Sequence, residues 1–251
     1  MNKENKISFR LTGRTALFSD PITKAGGEKF NYSVPTYQAL KGICESIYWK
    51  PTFIWYIDRV RIINPIRTES RGIRVPKYQN NSNDLSIPYT GSAQTHVSAY
   101  TYLIDAEYQV EAHFEWNMQR EELSADRDEN KHFFITKRML DRGGRRDIFL
   151  GARECQGYVE PCTFGEGNGY YDNESMSFGI MVHGITYPDE SGLEKMQTRL
   201  WNAQMKNGII EFIRPEECSI VMDTEKYKIK PFIPGKNFSG AEEFERGGVF
   251  G

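Results

Sequence analysis

The first half of the chain shows hydrophobic patterns of both strand and helix type. Residues 6–11 alternate between apolar and polar, which predicts a short, half-buried strand. Residues 33–49 repeat apolar side chains at helical spacing, and Pro51 ends this helix because the residue before a proline avoids helical angles. Residues 53–66 are rich in β-branched and aromatic types and predict another strand. The chain therefore opens as strand, helix, strand.

A second set of elements is predicted further along. Residues 108–116 alternate cleanly and predict a strand with one solvent-facing side. A helix is predicted to begin near Asp126, where a glutamate three residues later resembles a capping box, and to end at Gly143-Gly144. Residues 147–163 predict a strand and a turn. The order strand, helix, two strands, helix, strand is that of the split βαβ arrangement in a ferredoxin-like fold.

The pattern becomes purely strand-like in the last third of the chain. Residues 178–187 and 199–212 predict strands, and an Asn-Gly pair inside the second range is a strong hairpin signal. We therefore predict an α+β protein with a ferredoxin-like domain at 1–165 and a small β-rich domain at 166–251. The Gly- and acid-rich tail after about residue 237 is expected to fray.

Composition narrows the class of protein. The 251 residues are 39% hydrophobic, enough for a sizeable core, and no 18-residue apolar run or apolar leader occurs. Four sparse cysteines indicate a reducing compartment, so we expect a cytoplasmic protein without membrane contact. Net charge is −2, but residues 58–77 and 137–154 each carry six basic side chains. This segregation permits a basic groove on a near-neutral body.

Familiar catalytic motifs are absent from the sequence. No Walker loop, dinucleotide fingerprint, nucleophile elbow or zinc-protease motif occurs, and the four histidines are dispersed. Cys155 and Cys162 are seven residues apart without companion ligands, so zinc is not expected. No aspartate cluster typical of a two-metal nuclease stands out. We therefore predict neither a metal nor another cofactor.

Three features suggest chemistry on an anionic ligand, and each also has a structural interpretation. Lys131-His132 lies in the first turns of a capped helix, where backbone N–H groups and the dipole favour an anion. The alternative is a solvated lysine beside a packed or capping histidine. Tyr48, at the end of the first helix, is either a core residue or a phenol that contacts phosphate or stacks on a base. After the Gly143-Gly144 break, the arginines at 145 and 146 are placed to clamp phosphates.

These residues lie in sequence blocks that resemble one known family. The blocks GGEKFNYSVPTYQALKGICESIYWKPT, ENKHFFITKR and GGRRDIFLGARECQGYVEPC closely resemble the fifth Cas family in its Dvulg form, among the CRISPR-associated RAMP proteins of type I-C systems. The similarity runs from residue 6 to about 220. It implies a RAMP ferredoxin-like domain, RRM-like in its βαββαβ order, followed by a small β-rich domain.

The resemblance also implies an activity and its residues. Dvulg members process precursor CRISPR RNA without metal, cutting at the 3′ base of the repeat hairpin and staying bound to the 5′ handle within the surveillance complex. The family's tyrosine and adjacent Lys-His fall on Tyr48, Lys131 and His132. Our hypothesis is that His132 exchanges protons, Lys131 stabilises the phosphorane and Tyr48 orients the scissile phosphate or the 2′-OH. The sequence also allows the roles of His132 and Tyr48 to be exchanged. His113, between two glutamates, is interpreted as structural.

The hairpin RNA is expected to be held mainly through phosphates and shape. We expect RNA contacts from six residues in three segments: Lys24, Arg71, Gly143, Gly144, Arg145 and Arg146. Expected partners are the repeat RNA and the other subunits of the type I-C complex. Two alternatives remain: a non-catalytic, architectural RNA-binding subunit, and a DNA-binding module, since the basic segments also permit contacts with double-stranded DNA.

Overall fold

The structure, a computed structural model, describes residues 5–21, 23, 27–76, 95–226, 232–233, 235–238 and 240. The strands are β1 (Ile7–Ala16), β2 (Phe53–Ile62), β3 (Thr68–Pro76), β4 (Thr95–Trp116), β5 (Ile148–Phe149), β6 (Gln156–Pro161), β7 (Ser175–Thr186), β8 (Lys195–Lys206), β9 (Ile209–Glu211) and β10 (Ile220–Lys226). The α-helices are α1 (Tyr37–Ile47), α2 (Glu129–Asp141) and the single turn α3 (Pro188–Ser191). Two short 3₁₀ helices span Glu121–Asp126 and Pro215–Glu217.

All ten strands belong to one antiparallel sheet. Its order is β10-β8-β9-β2-β4-β1-β6-β5, with β3 paired to β4 and β7 paired to β8. The apolar residues of β1, such as Phe9 and Leu11, lie opposite Val110 and Tyr108 of β4 and share one buried core with α1 and α2. The protein is thus a mixed α/β fold that a single antiparallel sheet dominates, as the α+β prediction required.

Helix α1 follows its sequence pattern closely. The hydroxyl of Thr36 accepts a hydrogen bond from the backbone N–H of Ala39, which caps the first turn. Leu40, Cys44 and Ile47 recur at helical spacing and are completely buried. The helix ends at Tyr48, whose extended backbone turns the chain toward β2. The predicted helix is confirmed, and its end fixes the position of the Tyr48 side chain.

Helix α2 begins two residues later than predicted. Asp128 is the N-cap, and its carboxylate accepts from the backbone N–H of Lys131 at 3.0 Å. The predicted end is confirmed: the N–H groups of Gly143 and Gly144 donate to carbonyls of the last turn, with φ of 82° and 109°. Asp126, which the sequence suggested as the cap, therefore keeps its carboxylate for other contacts.

Two expectations about the central strands were wrong. Strand β4 is 22 residues long rather than nine, and its first half pairs with β3, which the sequence pattern did not predict. The polar side of β4, predicted to face solvent, is buried. The side-chain amide of Gln109 donates to the carbonyl of Glu166 at 2.7 Å and accepts from the N–H of Gly165 at 2.8 Å. The segment after β6 therefore covers this face at Gln109.

The C-terminal strands continue the same sheet. The predicted Asn-Gly hairpin is confirmed, because Asn207 and Gly208 have φ of 50° and 73° and join β8 to β9. Strand β9 then pairs with β2 through Arg59 and Glu211. The division into domains at 1–165 and 166–251 stays a prediction, and most of the tail after 237 lies outside the described residues. No helix of the described segments is long and apolar enough to cross a membrane.

Candidate active site

Tyr48 and His132 lie 84 residues apart in sequence and meet at one end of the helical layer. The phenol oxygen of Tyr48 is 2.9 Å from Nδ1 of His132. Tyr48 arrives from the end of α1 and His132 from the first turn of α2. Both residues have no exposed surface, and the rings of Phe53 and Phe114 pack around the imidazole. The fold thus brings together two of the three predicted catalytic side chains.

Hydrogen bonding fixes the tautomer of His132. Its Nε2 lies 2.7 Å from the backbone carbonyl of Asp126, and because a carbonyl can only accept, Nε2 must carry the proton. In the neutral ring Nδ1 is then an acceptor, so the Tyr48 hydroxyl donates to it. In this state the imidazole is ready to receive a proton from the phenol.

The carboxylate of Asp126 completes this arrangement. Its Oδ2 lies 3.4 Å from Nε2 of His132 and accepts a hydrogen bond from the hydroxyl of Thr52 at 2.7 Å. Sequence reasoning missed both residues. Asp126 was assigned to the helix cap, and Thr52 reaches it only through the tertiary fold, so no local pattern signals the contact.

Burial, more than the surrounding charges, keeps the phenol of Tyr48 protonated. Burial raises the pKa of Tyr48 well above its ordinary value, and the negative charge of Asp126 raises it further. The positive charges of Arg145 and Arg138 act in the opposite direction. Tyr48 is therefore a hydrogen-bond donor at neutral pH rather than a phenolate.

Lys131 precedes His132 in the first turn of α2 and is half-buried. The N-terminal end of the helix and the lysine charge together favour an anion at this position. Because Lys131 is adjacent to His132 in α2, it too lies at the junction of α1 with the start of α2. Their catalytic roles stay a prediction.

A C-terminal segment lies close to this junction. The ring of Phe238 is 5.2 Å from the Lys50 ammonium, and the ring of Phe232 is 4.8 Å from the Arg120 guanidinium. Lys50 and Arg120 are only 6% and 4% exposed. Tyr48 and His132 have no exposed surface, so a large ligand reaches them only after side chains that cover them move.

The loop after α2 docks on the end of α1 through its backbone. The N–H of Arg145 donates to the carbonyls of Ser46 and Ile47, both at 3.1 Å, and the N–H of Arg146 donates to Ser46 at 3.0 Å. Both arginine side chains are exposed beside the Tyr48 position. Gly143 and Gly144 have a structural role in ending α2, and their predicted contact with RNA is untested.

We expect Arg145→Ala and Arg146→Ala each to weaken RNA binding and to lower the slope of log affinity against log salt by about 1. The loop should keep its position, because its contacts with α1 are made by backbone atoms. Binding titrations over a range of salt concentrations measure the slope. Lys206→Ala, on the β8–β9 hairpin, removes the same charge as a control and should leave the slope unchanged. Unchanged slopes in both arginine variants would argue against RNA contact by this loop.

Of the other two predicted RNA contacts, the structure describes only Arg71. Arg71 is on β3 opposite Tyr100, whereas His132 packs on Phe114, fourteen residues further along β4. Arg71 forms an ion pair with Glu69 at 2.8 Å. The structure therefore does not bring it to the Tyr48–His132 pair. Lys24 lies outside the described residues.

His113 has a structural environment. Its Nδ1 is 2.8 Å from Asp58, and its ring stacks on Tyr56 at 5.6 Å on the opposite side of the sheet from the core. Among the described residues, no three His, Cys, Asp or Glu side chains are grouped so as to hold a metal ion.

The fold and the site define a class: a single-sheet α+β protein whose buried Tyr–His pair lies beside a cationic loop, an arrangement suited to a polyanionic ligand. A family model described as CRISPR-associated protein (Cas_Cas5) matches residues 7–213, and the chain belongs to this family.

Individual relatives agree with this membership. The protein from Mannheimia succiniciproducens called CRISPR pre-crRNA endoribonuclease Cas5d is 26% identical over 226 residues, covering 82% of this chain and 94% of its own. A solved structure described as a CRISPR-associated protein has a TM-score of 0.69 and 34% identity. A functionally uncharacterized protein from Streptococcus mutans, SMU1763c, has a TM-score of 0.68 and 37% identity. Each structure matches 86% of this chain and 96% of its own.

Proposed function

We propose that this protein is an endoribonuclease that cleaves precursor CRISPR RNA at the 3′ base of the repeat hairpin, without a metal ion. The observation that carries the proposal is the Tyr48–His132 hydrogen bond, with Nδ1 ready to accept a proton and Lys131 one residue away. The name of the relative from Mannheimia succiniciproducens, which this chain matches over most of its length, supports the same reaction.

The proposed reaction is attack of the ribose 2′-OH on the adjacent phosphorus. The O2′–P bond forms, the P–O5′ bond breaks, and the products are a 2′,3′-cyclic phosphate and a 5′-OH. The step needs an acceptor for the 2′-OH proton, a donor for the leaving oxygen and positive charge near the phosphorane. His132 exchanges protons, Tyr48 orients the 2′-OH and Lys131 stabilises the phosphorane.

We also propose that the protein contains a ferredoxin-like domain and works as a subunit of a larger complex. Strands β2-β4-β1-β6 are neighbours in that order, with α1 between β1 and β2 and α2 between β4 and β6 in sequence. This is the arrangement of a ferredoxin-like domain and supports that classification. After cleavage, the protein stays on the 5′ handle as a subunit of the type I-C surveillance complex. Contact with double-stranded DNA in that complex is part of the proposal.

One observation favours a second candidate, a non-catalytic RNA-binding subunit. Tyr48 and His132 have no exposed surface, as expected of core residues. In the catalytic proposal, RNA binding must move side chains that cover Tyr48 before the 2′-OH can reach the phenol. An architectural subunit would need no such opening, so the two candidates differ in whether bound RNA is cut.

The deciding experiment incubates excess protein with its repeat RNA in EDTA, beside the same RNA carrying one 2′-deoxy at the scissile nucleotide. We expect the first RNA to be cut, leaving a 2′,3′-cyclic phosphate, and the second to be bound but uncut, because its nucleophile is missing. Tight binding without cleavage of either RNA would support the architectural subunit. Cleavage of both would contradict 2′-OH attack, and equal affinity for the all-DNA hairpin would support a DNA-binding module.

A further inference from the structure

Asp126 places a negatively charged group beside the imidazole of the Tyr48–His132 pair. Its carboxylate lies 3.4 Å from Nε2 and is only slightly exposed, and the buried hydroxyl of Thr52 holds it in place at 2.7 Å. The backbone carbonyl of the same residue accepts a hydrogen bond from the Nε2–H group at 2.7 Å. One residue thus fixes the tautomer of His132 and places a negative charge beside the ring.

We propose that Asp126 is a positioning residue that makes His132 the proton acceptor for Tyr48, so that the proton of the scissile 2′-OH leaves through the phenol. This inference rests on the proposed ribonuclease function and adds a direction of proton movement to it. Tyr48 touches the substrate, His132 acts on Tyr48, and Asp126 acts on His132.

The direction follows from where the protons lie before the reaction. Nε2 already carries a proton and Nδ1 has a lone pair, so the neutral ring can receive a proton at Nδ1. The opposite direction would leave Tyr48 as a buried phenolate beside a carboxylate, which the raised pKa of Tyr48 disfavours. The pair is therefore arranged as a base.

The step balances without a further reagent. The 2′-OH proton passes to the Tyr48 oxygen while the phenol proton passes to Nδ1 of His132, and the O2′–P bond forms. The P–O5′ bond breaks, and the leaving 5′-oxygen takes a proton from water. The imidazolium, stabilised by the Asp126 carboxylate, later returns its proton to solvent through Tyr48.

The test measures single-turnover cleavage by Asp126→Asn with the full chain in excess over RNA. Asparagine keeps the backbone carbonyl and an acceptor for Thr52 but removes the charge. We expect the maximal rate to fall by about 10- to 100-fold, the size typical of losing a residue that orients a functional histidine. The protein concentration for half-maximal rate should stay unchanged. Asp126→Glu should recover part of the rate, and Thr52→Val should lower it by a smaller factor.

A matched control is available on the other side of the sheet. Asp58 contacts Nδ1 of His113 at 2.8 Å, so Asp58→Asn breaks a second Asp–His pair by the same substitution. It should leave the maximal rate unchanged. If Asp126→Asn is no slower than Asp58→Asn, the inference is overturned while the ribonuclease proposal stands. If the wild-type protein does not cut, the ribonuclease proposal itself fails.

A modified RNA tests the direction. In a substrate with sulfur in place of the 5′-bridging oxygen, the leaving group needs no proton, so only removal of the 2′-OH proton still requires help. We expect Asp126→Asn to remain slower than wild type on this RNA by a similar factor. If Asp126→Asn cleaves the sulfur substrate as fast as the wild type does, the Tyr48–His132 pair acts on the leaving group instead. That result would overturn the proposed direction of proton movement.

Discussion

His132→Gln is expected to lower the single-turnover rate of RNA cleavage by roughly 10²- to 10⁴-fold, the usual contribution of a general base. Glutamine fills a similar volume and can form hydrogen bonds, but it cannot accept a proton at neutral pH. RNA affinity should change little, because His132 has no exposed surface with which to hold the RNA. Single-turnover kinetics and a binding titration under the same conditions separate the two quantities.

The control for this prediction is His113→Gln. His113 is also buried and also contacts an aspartate, so the substitution removes a comparable side chain from a site unrelated to cleavage. Its rate should equal that of the wild type. Tyr48→Phe should be impaired like His132→Gln, and combining the two should add little, because both act in one proton transfer. A Tyr48→Phe protein that cuts at the wild-type rate would remove Tyr48 from the mechanism.

The elements that could be predicted from sequence are those whose local pattern of apolar, capping and turn residues matches the contacts they make in the folded protein. Helix α1 has a Thr36 cap and one apolar face, and the Asn207-Gly208 turn accepts the positive φ angles of a tight hairpin. Strand β3 has no such pattern, because it adds to the end of β4 and its side chains are largely exposed. The polar side of β4 is buried by a segment more than fifty residues away, which no local period can show.

The candidate site shows the same limit. Tyr48, Lys131 and His132 were identified through long sequence blocks, and the structure brings them to one junction. Asp126 was visible only as a cap, although α2 is capped by Asp128. Its contact with His132 depends on the 3₁₀ turn that precedes α2 and on Thr52, the residue just before β2. Because this contact needs three separate segments of the chain, it can be recognised only once the fold is known.

A second buried histidine should make folding stability depend on pH. His183 stacks on Tyr37 at 4.3 Å and lies edge-on to Trp201, and its Nε2 donates to the carbonyl of Ile213 at 2.9 Å. Its Nδ1 is buried without a hydrogen-bond partner among the described residues. Burial, and next the charge of Arg199, lower the pKa of His183 to about 4.

Because the pKa of His183 is lower in the folded protein than its ordinary value of 6.5, the unfolded chain binds the proton more tightly. The stabilising contribution is therefore complete above about pH 6.5 and is lost as the pH falls toward 4. The expected loss across this window is about 3 kcal/mol. Urea unfolding of the wild type and His183→Gln at several pH values measures this loss as the difference between their free energies of unfolding. Carboxylate titrations that are common to both proteins cancel in that difference.

We expect the wild type to lose its advantage over His183→Gln between pH 6.5 and 4. Glutamine can still donate to Ile213 but has no group that titrates in this range, so it removes the pH dependence while keeping that hydrogen bond. A difference between wild type and His183→Gln that stays constant at every pH would mean that His183 is protonated equally in the folded and unfolded states. Its buried, unpartnered Nδ1 argues against that result.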